Sequence, residues 1–117
     1  MKLTEFQEVT DILCEMFLIE NIVVEIKNCQ CAWARLTSNK ITLPKWILKT
    51  CKPYQMSFIL HEIAHFIRQD VKAAHDSLFF EIEDLLLSYY YMRIEKKPKE
   101  VYAHKLYYKG RLVKIID

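Results

Sequence analysis

The chain has 117 residues, 52% apolar and 27% charged, a balance that suits a globular protein and excludes a disordered one. It is long enough for one domain over residues 1–117 with a real core and too short for two. The formal net charge of +2 permits an acidic partner without pointing to one, and no run of about 18 uncharged apolar residues is present, which excludes a membrane helix.

Three acidic residues near the N-terminus, Glu5, Glu8 and Asp11, break any signal-peptide core, so a cytoplasmic protein is expected. In that compartment Cys14, Cys29, Cys31 and Cys51 are expected as free thiols. Cys29 and Cys31 form C-x-C, not the C-x-x-C of a zinc knuckle.

Thr4 followed by Gln7 resembles a capping box, and Phe6, Val9, Leu13, Met16 and Phe17 recur at helical spacing, predicting an amphipathic helix over 4–19. Asn21 to Lys27 (NIVVEIK) is rich in β-branched residues and reads as a strand. Cys31 to Thr37 and Lys40 to Leu43, joined by the turn residues Ser38 and Asn39, predict a hairpin. Pro44 closes it, and Lys45 to Lys49 reads as a short helical turn.

Pro53 suits the first turn of the next helix, which carries the stretch QMSFILHEIAHFIR from Gln55 to Arg68. Its apolar residues surround it nearly completely, the mark of a buried helix. His61 and His65 fall one turn apart on one face, so both imidazoles can reach one Zn²⁺ ion. Glu62, between them in sequence, can reach a water on such an ion, the arrangement of an HExxH hydrolase.

Asp76 or Ser77 is a fitting N-cap for a third helix with a core stripe of Leu78, Ile82, Leu85 or Leu86, and Tyr89. That helix is expected to end near Met92, with RIEKKPKE as a solvated linker. Val101 to Asp117 holds two alternating apolar runs around Lys109 and Gly110 and reads as a terminal β-hairpin. The fold class is therefore α+β: a buried HExxH helix and a second core helix on a small antiparallel or mixed sheet.

A catalytic zinc takes three protein ligands and keeps a fourth place open. His75, the nearest histidine downstream, is the favoured third ligand. Glu81, Glu83 or Asp84 becomes the alternative if the third helix crosses the second in antiparallel fashion.

The motif His61-Glu62-Ile63-Ala64-His65, followed by His75-Asp76-Ser77-Leu78-Phe79, resembles the SprT-like zinc metallopeptidases, in which HExxH precedes a His-Gly-x-x-Phe or Trp element. Asp76 stands where that family usually has Gly. The resemblance, over about residues 21–87, implies a zincin-like fold, His61, His65 and His75 as metal ligands, Glu62 as general base, a protein or peptide substrate, and weak association with nucleic acid. Phe80 to Leu87 (FEIEDLLL) is also similar to the glutamate-bearing helix of ImmA/IrrE-type metallopeptidases, which would make Glu81 or Glu83 the ligand.

The expected activity is peptide hydrolysis by a metal-activated water, with Tyr107, Tyr108 or His104 available as oxyanion donors and substrate added along the edge near Trp33 to Leu36. The alternative is a zinc-stabilised domain without catalysis. It would bind protein or nucleic acid through Lys105, Lys109, Arg111 and Lys114, interleaved with Tyr102, Tyr107 and Tyr108.

Overall fold

The first helix, α1 (Leu3–Met16), begins one residue before the expected cap: Lys2 is the N-cap, and its backbone N–H donates to the Glu5 carboxylate at 3.1 Å. Gln7 is therefore not a capping residue. Its side-chain oxygen accepts the Val24 N–H at 2.8 Å, and its amide donates to the Ile22 carbonyl at 2.8 Å. One amide thus satisfies both backbone groups of a strand end and fixes the helix across the sheet. This computed structural model describes residues 1–69 and 76–98, and beyond them the backbone of two strands, 105–108 and 111–115.

Strands β1 (Val23–Lys27), β2 (Trp33–Arg35) and β3 (Lys40–Pro44) form one mixed sheet in the order β1-β3-β2. The expected hairpin is present, with Trp33 opposite Thr42 and Arg35 opposite Lys40. β1 pairs with β3 in parallel, so β2 is left as an edge. Alternation then sorts the side chains. Val24, Ile41 and Leu43 lie in the core with Phe6 and Leu13 of α1, while Val23, Glu25, Trp33, Arg35, Lys40 and Thr42 share the opposite face.

A 3₁₀ turn (Lys45–Lys49) leads into α2 (Lys52–Arg68), with Pro53 in its first turn. The buried Gln55 joins the two, donating to the carbonyls of Ile47 at 2.9 Å and Thr50 at 3.0 Å and accepting from the terminal amine of Met1 at 2.7 Å. Met56, Ile59, Leu60, Ile63 and Ala64 are almost fully buried. α2 stops at Gln69, whose left-handed backbone (φ 53°) returns its N–H to the His65 carbonyl.

The third helix, α3 (Ser77–Tyr89), is capped by Asp76, which accepts the Phe79 N–H at 2.9 Å. Its inward stripe differs from the expected one. Phe79, Leu86, Leu87 and Tyr90 are buried and Ile82 packs against the core, but Leu78 and Leu85 point outward, 47% and 51% exposed. Ile82 and Leu86 face inward as expected, while Phe79, packed against the histidines of α2, takes the inward place expected of Leu78.

The expected linker is also corrected in its first part. The helix continues as a π-helical turn (Tyr90–Glu95), where Tyr91 is buried and Glu95 pairs with Lys52 at 2.6 Å. The terminal hairpin is present as β4 (Lys105–Tyr108) and β5 (Arg111–Ile115), antiparallel with a register shift after Leu106. All four cysteines are free thiols. Among the described residues no helix is long and apolar enough to cross a membrane.

Candidate metal centre

The site is assembled on the facing surfaces of α2 and α3. His61, Glu62 and His65 all lie within α2. The two imidazoles stand 5.1 Å apart between ring centres and nearly perpendicular to each other. That separation follows from the helix: side chains four residues apart lie one above the other on one face.

α3 lies along that face in the opposite sense. Glu83 Oε2 is 2.6 Å from His61 Nδ1; Phe79 packs its ring 5.0 Å from His61 and 4.7 Å from His65; and Asp76 takes the Arg68 guanidinium in a fork, 2.7 Å to Nη2 and 3.4 Å to Nε. On α2 the two polar partners, His61 and Arg68, are seven residues apart. On α3 Asp76 and Glu83 are seven residues apart as well. Both pairs therefore sit on one seam, two turns from each other.

An ionised carboxylate accepts only, so the short contact to Glu83 places the proton of a neutral His61 on Nδ1 and makes Nε2 the nitrogen whose lone pair would serve a metal. Burial opposes a charge on this ring, but the Glu83 hydrogen bond and the charges of Glu62 and Glu83 outweigh it and raise the His61 pKa above its ordinary value. Asp76 is held down at about 2, chiefly by the Arg68 hydrogen bonds, so the fork is charge-assisted on both sides.

Among the described residues Glu62 is the only buried carboxylate. It is 8% exposed, and burial, opposed by His61 and reinforced by Glu83, pushes its pKa up to about 7. Among the described residues its carboxylate takes part in no hydrogen bond. A carboxylate with an uncommitted oxygen and a pKa near neutrality can take up and give back a proton under physiological conditions.

His61 and His65 supply two nitrogens in a chemistry that suits zinc, with one of them backed by a carboxylate. Among the described residues no group of three or more His, Cys, Asp or Glu is placed to hold a metal ion. His75, the favoured third ligand, lies outside the described residues, as does His104. Of the acidic alternatives, Glu83 is committed through one oxygen to His61, whereas Glu81 and Asp84 are on the exposed side of α3. The side chains of Tyr107 and Tyr108 likewise fall outside the described residues.

Sequence reasoning named Glu83 only as a ligand, named Phe79 only as part of the downstream motif, and missed the pairing of Arg68 with Asp76. The available signal was the equal spacing of the partners on the two helices, which becomes visible only once the helices are taken as antiparallel neighbours.

No protein-family model matches the chain, and no curated protein does. Among solved structures it is similar to the crystal structure of the metallopeptidase zymogen of Pyrococcus abyssi abylysin. The TM-score is 0.57, the match covers 77% of this chain and 95% of that one, and the sequences are 14% identical. The α+β fold is thus metallopeptidase-like. The likeness does not single out the SprT-like family.

Proposed function

We propose that the chain is a zinc-dependent metallopeptidase of the cytoplasm, with His61, His65 and His75 as metal ligands and Glu62 as general base. The observation that carries this reading is the state of Glu62: a buried carboxylate near neutrality, without a hydrogen bond among the described residues, on the same helix as the two imidazoles and next to His61 in sequence. A structural zinc site has no use for such a group, and its desolvation is a cost that only a chemical role offsets.

Zinc, when bound, lowers the pKa of a water toward about 7 and polarises a carbonyl. Glu62 accepts a proton from the attacking water and returns it to the leaving amine, for which a pKa close to the working pH suits both transfers. Glu83 acts from behind His61, holding its ring and tautomer rather than binding the metal. Phe79 walls both imidazoles with an apolar face and limits the access of bulk water. Its position in the His75-Asp76-Ser77-Leu78-Phe79 element supports a SprT-like relation, because the aromatic residue of that element then has a function beside the ligands.

Substrate lies along β2, the open edge of the sheet against which α2 packs, adding a strand through main-chain hydrogen bonds. The test is zinc content by mass spectrometry together with hydrolysis of an unfolded protein such as casein. One zinc per chain is expected, with E62Q retaining the metal and losing about 10²- to 10⁴-fold in rate. A wild-type protein with no zinc, or an E62Q protein as active as wild type, refutes the reading.

A further inference from the structure

Among the described residues, the face of the sheet turned away from the core holds one cation without a counterion. Arg35 lies on β2 directly opposite Lys40, and like charges in that position repel. Lys40 is relieved by Glu25 at 3.6 Å, but that carboxylate also serves Lys27 at 3.3 Å and accepts from Thr42 at 2.7 Å. Nothing is left for Arg35.

Its guanidinium instead lies over the indole of Trp33, two residues before it on the same face, 4.4 Å from the ring centre. The stack offsets part of the charge but supplies no acceptor: Arg35 Nε is closed off from solvent and has no hydrogen-bond partner. An unsatisfied N–H of this kind is uncommon in a folded protein, and the cation that carries it has no carboxylate partner among the described residues.

We infer that Arg35, stacked on Trp33, is a specificity-determining residue that selects an acidic side chain in an extended peptide added along β2. The inference deepens the peptidase reading and rests on it for the nature of the ligand. An added strand sets its alternate side chains beside Trp33 and Arg35. A carboxylate opposite Arg35 supplies the missing counterion, meeting the guanidinium end-on through its Nη groups in a bidentate pair. Two positions along the peptide, the 60% exposed Trp33 offers an aromatic face to an apolar side chain. A single recessed cation beside one aromatic ring matches one acidic residue in a peptide better than the repeated charges of a nucleic-acid backbone, which call for a row of cations.

The test measures binding apart from cleavage. Dye-labelled octapeptides of Thr and Val, carrying Glu, Gln or Lys at each position in turn, are titrated by fluorescence polarisation onto E62Q, with zinc and with chelator. At one position Glu is expected to bind about tenfold more tightly than Gln, the contribution of one charge-assisted pair, and Lys more weakly than either. R35Q, which keeps most of the side chain over the indole, should remove the preference, and R35E should invert it in favour of Lys.

The same preference in R35Q and R35E overturns the assignment, as does its absence at every position of the E62Q protein. So does Arg35-dependent binding of single-stranded oligo(dT) with no binding of the peptides. A wild-type protein that shows the preference but cleaves none of the peptides overturns the peptidase reading alone and leaves Arg35 as an acidic-peptide contact.

Discussion

Removing the Glu83 carboxylate should weaken zinc binding by an amount that the geometry bounds. The contact to His61 Nδ1 is 2.6 Å, and the two side chains are 29% and 22% exposed. The pair is therefore neither a surface ion pair, at about 0–1 kcal/mol, nor a fully buried one, whose breaking costs about 3–5 kcal/mol. E83Q keeps an oxygen that can accept from Nδ1 but loses the charge, so about tenfold in zinc affinity is expected, or about 1.4 kcal/mol. E83A loses the acceptor as well, freeing the ring to turn and to place its proton on either nitrogen. About a hundredfold, or roughly 2.7 kcal/mol, is then expected.

The assay is competition for zinc against a chromophoric chelator at fixed pH, with circular dichroism confirming that each variant is folded. H75A belongs in the same series and should lose more than either. Two results would refute the reasoning: E83A binding zinc as tightly as wild type, or E83A abolishing binding while H75A retains it. The second would make the carboxylate a ligand and the ring contact incidental.

Three further outcomes bear on the frame of the site. Phe79 is fully buried, so F79A should cost about 3–5 kcal/mol in urea unfolding, and F79L less than about half of that. Asp76 both caps α3 and takes Arg68; D76A should lower the urea midpoint more than D76N, which retains an acceptor for the Phe79 N–H. Glu95 has its pKa lowered, first by Lys52 and then by the Tyr90 hydroxyl, and that of Tyr90 is raised, first by burial and then by Glu95. The Glu95 contribution is complete above its unfolded value of 4.5 and is lost as pH falls through the lower folded value. The Tyr90 contribution is complete below 10.0 and is lost as pH rises through its higher folded value. E95Q should accordingly flatten both the acid and the alkaline limbs of the melting temperature against pH.

Periodicity carried most of the fold because it reports which face of an element is wet. The run from Met56 to Ile67 read correctly as a buried helix, and Val23 to Lys27 as a strand. The hairpin of β2 and β3 was legible from Ser38 and Asn39, although the parallel pairing of β1 with β3 was not, since a strand's sequence does not name its neighbour. The failures share a cause. Gln7 looked like a cap because the pattern is local, whereas its partners Ile22 and Val24 lie on another element. Leu78 looked like core because hydrophobicity does not record that Phe79 has a better seat against two imidazoles, and of the alternatives Leu85 and Leu86 it is Leu86 that is buried. At the site, the placing of His61 and His65 one turn apart on one helix face was legible from spacing, while the pairing of Glu83 with a ring nitrogen depended on how two helices settle against each other.

The equal spacing on α2 and α3 makes chain length, more than side-chain identity, the sensitive variable in this region. Asp76 and Glu83 share a phase only because seven residues close nearly two turns. One residue inserted between them would turn everything beyond it by about 100° and raise it by about 1.5 Å, carrying Glu83 off its ring while Asp76 stayed in place. Exchanges of side chain along α3 are thus graded in effect, but an indel between residues 76 and 83 acts as a switch that decouples the helix anchor from the histidine it serves.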